Sequence, residues 1–269
     1  MKEIMGYTVF SLALLGTMYV LFFTGNLAPV PGFGFILGSM AVLMWIVSFR
    51  LNRKWNSMTP TEKSMYSVLN ELRWFFILGA VFFTIDLVPH VVLILAGSSI
   101  ATVTAAHWTA HLLLFAYNVM GARIAMSFFN PRWKNQVTII VALIGASALV
   151  ASLMHPDYFV TIPGSEYPLL SSDRTYALFN MISNITSAGA FGLYLVYKGL
   201  TESNSAVRAR AVLMGLGLLC TVPAGYIIHF VHSPYNPILI YTAFTGWALL
   251  TGISALLTIR KPIAISPSA

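Results

Sequence analysis

The sequence predicts an all-α protein: a polytopic integral membrane helical bundle with about eight transmembrane helices and both termini cytoplasmic. Three observations carry that expectation. Of 269 residues, 58% are hydrophobic and 9% charged, and the mean hydropathy is +0.79, a composition that excludes an ordinary soluble domain. Apolar runs of roughly 19 to 27 residues recur along the chain, each long enough to cross a hydrocarbon core of about 30 Å. Lys and Arg fall almost entirely in alternate connections between those runs.

The runs lie at about 5–25, 32–50, 73–96, 100–126, 136–154, 174–198, 209–232 and 237–259, so residues 1–269 read as a single transmembrane domain. Lipid offers no partner to an exposed peptide group. These segments are too long and too uniformly apolar for barrel strands, so they should be helices. The connection at 51–72 contains Thr59, Pro60 and Glu62, a capping box with proline at the first helical position, which predicts a short surface helix up to Leu72. The connection from His155 to Asp173 is the largest on the other side and could form a small cap.

Orientation follows from charge. Arg50, Arg53, Lys54, Lys63 and Arg73 flank the second connection; Arg123, Arg132 and Lys134 the fourth; Lys198, Arg208 and Arg210 the sixth; Arg260 and Lys261 the tail. Arg174 alone falls on the opposite side. Both ends should therefore lie inside, in the cytoplasmic (plasma) membrane. The net charge of +7 is a topological signal directed at anionic lipid headgroups, and no nucleic-acid partner is expected. Lys2 followed by an apolar run without a small-residue cleavage site reads as an uncleaved signal anchor. Cys220 is the single cysteine, which excludes an intramolecular disulfide or a thiolate cluster.

Chemistry concentrates on the third and fourth runs. Asp86-Leu-Val-Pro-His90 and His107-Trp-Thr-Ala-His111 place a carboxylate and three imidazoles inside apolar segments, where polar groups are costly. The two runs are joined near Gly97 to Ser99. Counting from Ser98, His90 and His107 lie eight and nine residues away, and Asp86 and His111 twelve and thirteen. At 1.5 Å per residue those are two matched levels, about 12 to 14 Å and 18 to 20 Å below the turn. Each pair is spaced i to i+4, hence on one helix face. Counting leaves rotation about the helix axes open, and with it whether the two faces meet. Pro89 removes a hydrogen bond to the Ile85 carbonyl and should bend the helix beside both side chains.

Imidazoles with one carboxylate suit copper, iron or zinc, which makes Asp86, His90, His107 and His111 candidate metal ligands. A single b-type haem is the alternative cofactor. Its two axial histidines must stand further apart than directly packed helices allow, so His107 or His111 would pair with His229 on the seventh run. His232 and His155 also lie towards the outer side. A structural reading remains beside these: Asp86 neutralised by a histidine, and the other imidazoles bonded to carbonyls. Tyr176, Asn180, Ser183, Asn184 and Ser187 form a polar stripe along the sixth run, as packing contacts or as the wall of a hydrated cavity, and Thr104 and Asn118 extend the polar side of the fourth.

The HWTAH segment with Leu112 to Leu114 resembles, over that stretch, the histidine pair of membrane copper-delivery factors for cytochrome oxidase. Arg208-Ala-Arg210 before an apolar glycine-containing helix resembles membrane sensor modules of histidine kinases. The expected function is electron transfer or redox chemistry at a histidine-ligated metal ion or single haem in the outer half of the bundle. Partner membrane subunits and a role as an oxidoreductase, or a subunit of one, accompany that expectation. A small-ligand sensory module and a proton-coupled transporter are the alternatives.

Overall fold

The computed structural model describes residues 2–25, 29–161, 168–230 and 236–260. Its long helices are α1 (Lys2–Phe23), α2 (Pro29–Asn56), α4 (Ser67–Leu87), α6 (Ile100–Phe129), α7 (Lys134–Met154), α10 (Ser205–Phe230) and α11 (Asn236–Arg260). Shorter helices are α3 (Pro60–Met65), α5 (Leu93–Leu95), α8 (Arg174–Asn184) and α9 (Ala190–Thr201). Among the described residues seven helices are long and apolar enough to cross a membrane. The run expected at 174–198 is helical as well, from α8 through a π turn (Ile185–Gly189) into α9. It is not one of the seven, and Asn180, Ser183, Asn184, Thr186 and Ser187 are what dilute its apolar character.

The helices close a circuit. α11 packs on α2, α2 on α4, α4 on α6, α6 on the π turn and α9, and these on α10, which returns to α11. α1 is attached outside against α11, where the Tyr7 hydroxyl donates to the Ala248 carbonyl at 2.8 Å. α7 lies outside against α6 and α8. These two are the least buried of the seven spans. Outward-facing Phe23, Phe49, Leu143 and Leu193 are more than 60% exposed, a surface that suits lipid and would aggregate in water. Where α9 meets α10, glycine is a packing requirement. A Cβ on Gly215 would stand 2.6 Å from the Gly192 carbonyl oxygen, so the two backbones touch directly.

Among the described residues the ion pairs of Lys and Arg and the cation–π contacts gather at one end. Glu71 on α4 is buried and accepts two hydrogen bonds from Arg123 on α6, at 3.0 and 3.2 Å, and one from Lys134 on α7 at 3.3 Å. Arg50 pairs with Glu3 at 3.1 Å, and Lys63 and Arg73 lie over the Trp55 ring. The capping box forms: the Thr59 hydroxyl accepts from the Glu62 amide, and the Glu62 carboxylate accepts from the Thr59 amide. Those amide and hydroxyl donors hold the Glu62 carboxyl below its ordinary range. The helix ends at Met65 rather than running to Leu72, because Tyr66 leaves helical geometry before α4 begins.

The connection between α7 and α8 contains a small antiparallel hairpin, β1 (Tyr158–Val160) with β2 (Leu169–Ser171), in register Phe159 to Leu170. β2 leans on the chain at Val88–Val92, just above Asp86. Asp173 caps α8 by accepting from the Thr175 amide and pairs with His155 at 3.4 Å. That amide, foremost, lowers the Asp173 carboxyl from its ordinary range.

Candidate metal group and the adjoining cavity

Local backbone chemistry brings the polar residues together. Pro89 has no N–H to continue an α-helical ladder, and its ring would crowd the Ile85 carbonyl. The chain answers with a π turn over Val88–Val92, in which the Leu93 amide donates to the Val88 carbonyl. The Ile85 carbonyl is taken by the Val88 amide, so the proline does not leave it bare as an extra ligand. Gly97, at φ +66°, then turns the chain where a side chain would be strained. Ser99 caps α6, its hydroxyl accepting from the Thr102 amide.

The two faces meet. Asp86 Oδ1 lies 3.6 Å from His90 Nε2, and the His90 and His107 rings stand edge to face with centroids 5.1 Å apart. Asp86, His90 and His107 each offer one ligand atom, and these atoms lie within 4.8 Å of one another. Asp86 and His107 are buried, and Phe33 of α2 stacks on His90. His111 is buried too, but its Nδ1 lies 3.0 Å from the His107 carbonyl, which can only accept. Nδ1 therefore carries a proton, and in the neutral ring Nε2 is an acceptor. His111 is not one of the three converging groups, although its ring centroid lies 4.0 Å from that of His107.

A fifth residue completes the arrangement. Asp157, immediately before β1, places Oδ2 2.6 Å from His107 Nδ1, with both side chains buried. A carboxylate on one imidazole nitrogen fixes the tautomer and makes the other nitrogen a stronger metal ligand. His107 Nε2 is thus the atom that would face an ion. Asp157 was legible as an acid in the outer connection, but no periodicity ties a loop residue to a helix fifty positions away.

On the inner side of this group a cavity of about 120 Å³ opens between α2, α4, α6, α8, α10 and α11. Asp86, His90 and His111 border its outer end, and Asn118, Asn180 and Asn184 lie further along α6 and α8. Asn118 Nδ2 donates to Asn184 Oδ1 at 3.2 Å. Tyr176, Asn180, Ser183 and Ser187 are buried, so the polar stripe faces the bundle. At the second π turn the Thr186 hydroxyl bonds the Ile182 and Ser183 carbonyls and the Ser187 hydroxyl bonds the Ser183 carbonyl. A smaller cleft on the other side, lined by Thr104, His107, His111, Asp157 and Tyr176, leaves His111 between two spaces.

His229 lies in the last turn of α10, with its side chain outside the described residues, and His232 lies outside them altogether. No family model, curated protein or solved structure matches the chain.

Proposed function

We propose that this chain is an eight-span membrane protein, termini on the basic side, that holds one transition-metal ion on Asp86, His90 and His107. The convergence of these three ligand types from two helices carries the reading. Two imidazoles and a carboxylate leave coordination positions open, the set used by non-haem iron and by catalytic zinc. An ion bound at about 2.0 to 2.1 Å needs ligand atoms roughly 3.3 Å apart, so side-chain rotations of about 1 Å would close the group. Asp157 supports it by orienting His107.

The His90, His107 and His111 rings are 4.0 and 5.1 Å apart, which leaves no space for a macrocycle between them; a haem between His107 or His111 and His229 would involve a side chain outside the described residues. Iron or copper at this group would serve electron transfer or redox chemistry; zinc would instead polarise a bound water. Distance from the basic end suits an outer-half location, since Asp86 lies fifteen residues beyond Glu71, about 22 Å along the helix.

Elemental analysis of the detergent-purified full chain tests this reading. About one iron, copper or zinc per chain is expected, falling below a tenth in His107→Ala and in Asp86→Ala. Wild-type protein without metal after growth and purification in metal-supplemented, chelator-free buffer would overturn it. A second reading has one specific support: Asp86, His90, His107 and Asp157 follow one another from the cavity to the hairpin, with 3.6 Å between Asp86 and His90, 5.1 Å between the two imidazole centroids and 2.6 Å from His107 to Asp157, a series that bridging water would turn into a proton path. Proton-coupled uptake in vesicles, lost in Asp86→Asn, would favour it.

A further inference from the structure

The cavity adjoins the metal group, since Asp86 and His90 border it, but it has a shape and polarity of its own. Its walls are aromatic: Phe82 and Phe83 from α4, Phe244 and Trp247 from α11. Phe83 and Trp247 are in contact, with centroids 5.4 Å apart, so the wall is continuous. At about 120 Å³ the space matches one six-membered ring, since an apolar cavity of roughly 150 Å³ is known to take benzene.

Hydrogen-bonding groups mark the two ends of this space. At the outer end His111 Nε2 is an acceptor, because its Nδ1 proton is committed to the His107 carbonyl. Further in, Asn118 and Asn184 line the cavity as a bonded pair; Asn118 donates to Asn184 Oδ1, which leaves the Asn184 amide nitrogen as a donor. It lies close to Gly225 on α10, where a Cβ would stand 3.3 Å from Asn184 Nδ2. His111 and Asn118 are seven residues apart on α6, about 10.5 Å along the axis, a backbone spacing that sets the scale between the His111 end and the end marked by Asn118 with its bonded partner Asn184. A ring with two para oxygens spans roughly 5.5 Å between them, and two hydrogen bonds of about 2.8 Å bring the total to about 11 Å.

We infer that the cavity binds a single-ring para-oxygenated aromatic of the hydroquinone class, one hydroxyl donating to His111 Nε2 and the far oxygen accepting from Asn184. A purely apolar ring would leave the buried imidazole and amides without exchange for water, which is what makes the hydroxyls decisive. Binding uses His111 and Asn184, neither of them among the three converging ligands, and so needs no ion on Asp86, His90 and His107, although Asp86 and His90 border the cavity. Each hydrogen bond requires a fixed partner, so the ligand's dimethyl ether is the discriminating analogue.

The test is isothermal titration of the chelator-treated full chain in detergent with hydroquinone and with hydroquinone dimethyl ether. One saturable site is expected, with the hydroquinone bound at least tenfold tighter than the ether. His111→Leu and Asn184→Leu should each lose most of that preference, and ligand-dependent quenching of tryptophan fluorescence should fall in Trp247→Phe. Absence of saturable hydroquinone binding, equal affinity for the ether, or a preference that persists in either leucine variant would overturn the inference. If His111→Leu is not monodisperse by gel filtration, the Asn184→Leu comparison decides. Metal-free conditions separate this result from the elemental analysis: either reading can fail while the other stands.

Discussion

The Asp157 to His107 contact is where one side chain most alters what another can do. A carboxylate 2.6 Å from Nδ1 holds the ring in one tautomer and one orientation. An asparagine there keeps the size but loses the charge that strengthens the opposite nitrogen. Asp157→Asn is expected to lower metal affinity about 10- to 100-fold while leaving the fold intact, which competition with a chelator of known strength would read. His111→Ala should change metal affinity far less than His107→Ala in the same assay, since His111 lies outside the converging set.

At the scale of elements, the close approach of α9 and α10 is a sharp constraint. Gly215 faces the Gly192 carbonyl and the Val196 backbone nitrogen, both within 3 Å of where a Cβ would be. These are backbone atoms that cannot swing aside. Gly215→Ala should cost about 1 to 3 kcal/mol, measured as a loss of thermal stability in detergent. Glu71 ties three helices by accepting from Arg123 and Lys134. Removing it leaves two cations facing a buried site. Because those cations are 26% and 20% exposed, the full cost of a broken buried pair is discounted, and Glu71→Gln should cost about 2 kcal/mol in the same unfolding assay.

Across the whole molecule, what was legible in sequence depended on range. Helix existence followed from composition and length, and the Thr59 to Glu62 cap followed from four adjacent residues. The depth of Asp86, His90, His107 and His111 followed from counting outward from Ser98. Their rotation did not, because a helix axis has no marker in sequence for which neighbour it faces. Pro89 announced a break but not its form. The π turn at Ile185–Gly189 had no such announcement, since no proline falls there and the Thr186 back-bond found at it also occurs within unbroken helices, as at Thr109 and Thr251. Asp157 was the furthest from reach, joined to His107 through fifty residues of intervening chain.

The two π turns also act as rotational offsets. Each inserts one residue beyond α-helical winding, and a residue is worth about 100° of turn. Between Asp86 and the Gly97 bend, that surplus sets the angle at which the chain leaves for α6. Excising Val91 would restore uniform winding and swing the outer end of the segment by about 100°. The hairpin would then close on a different face, and His107 would be carried away from Asp86 although every ligand was still present in the chain. Spatial agreement among the three ligands is thus held by a phase as well as by their identities.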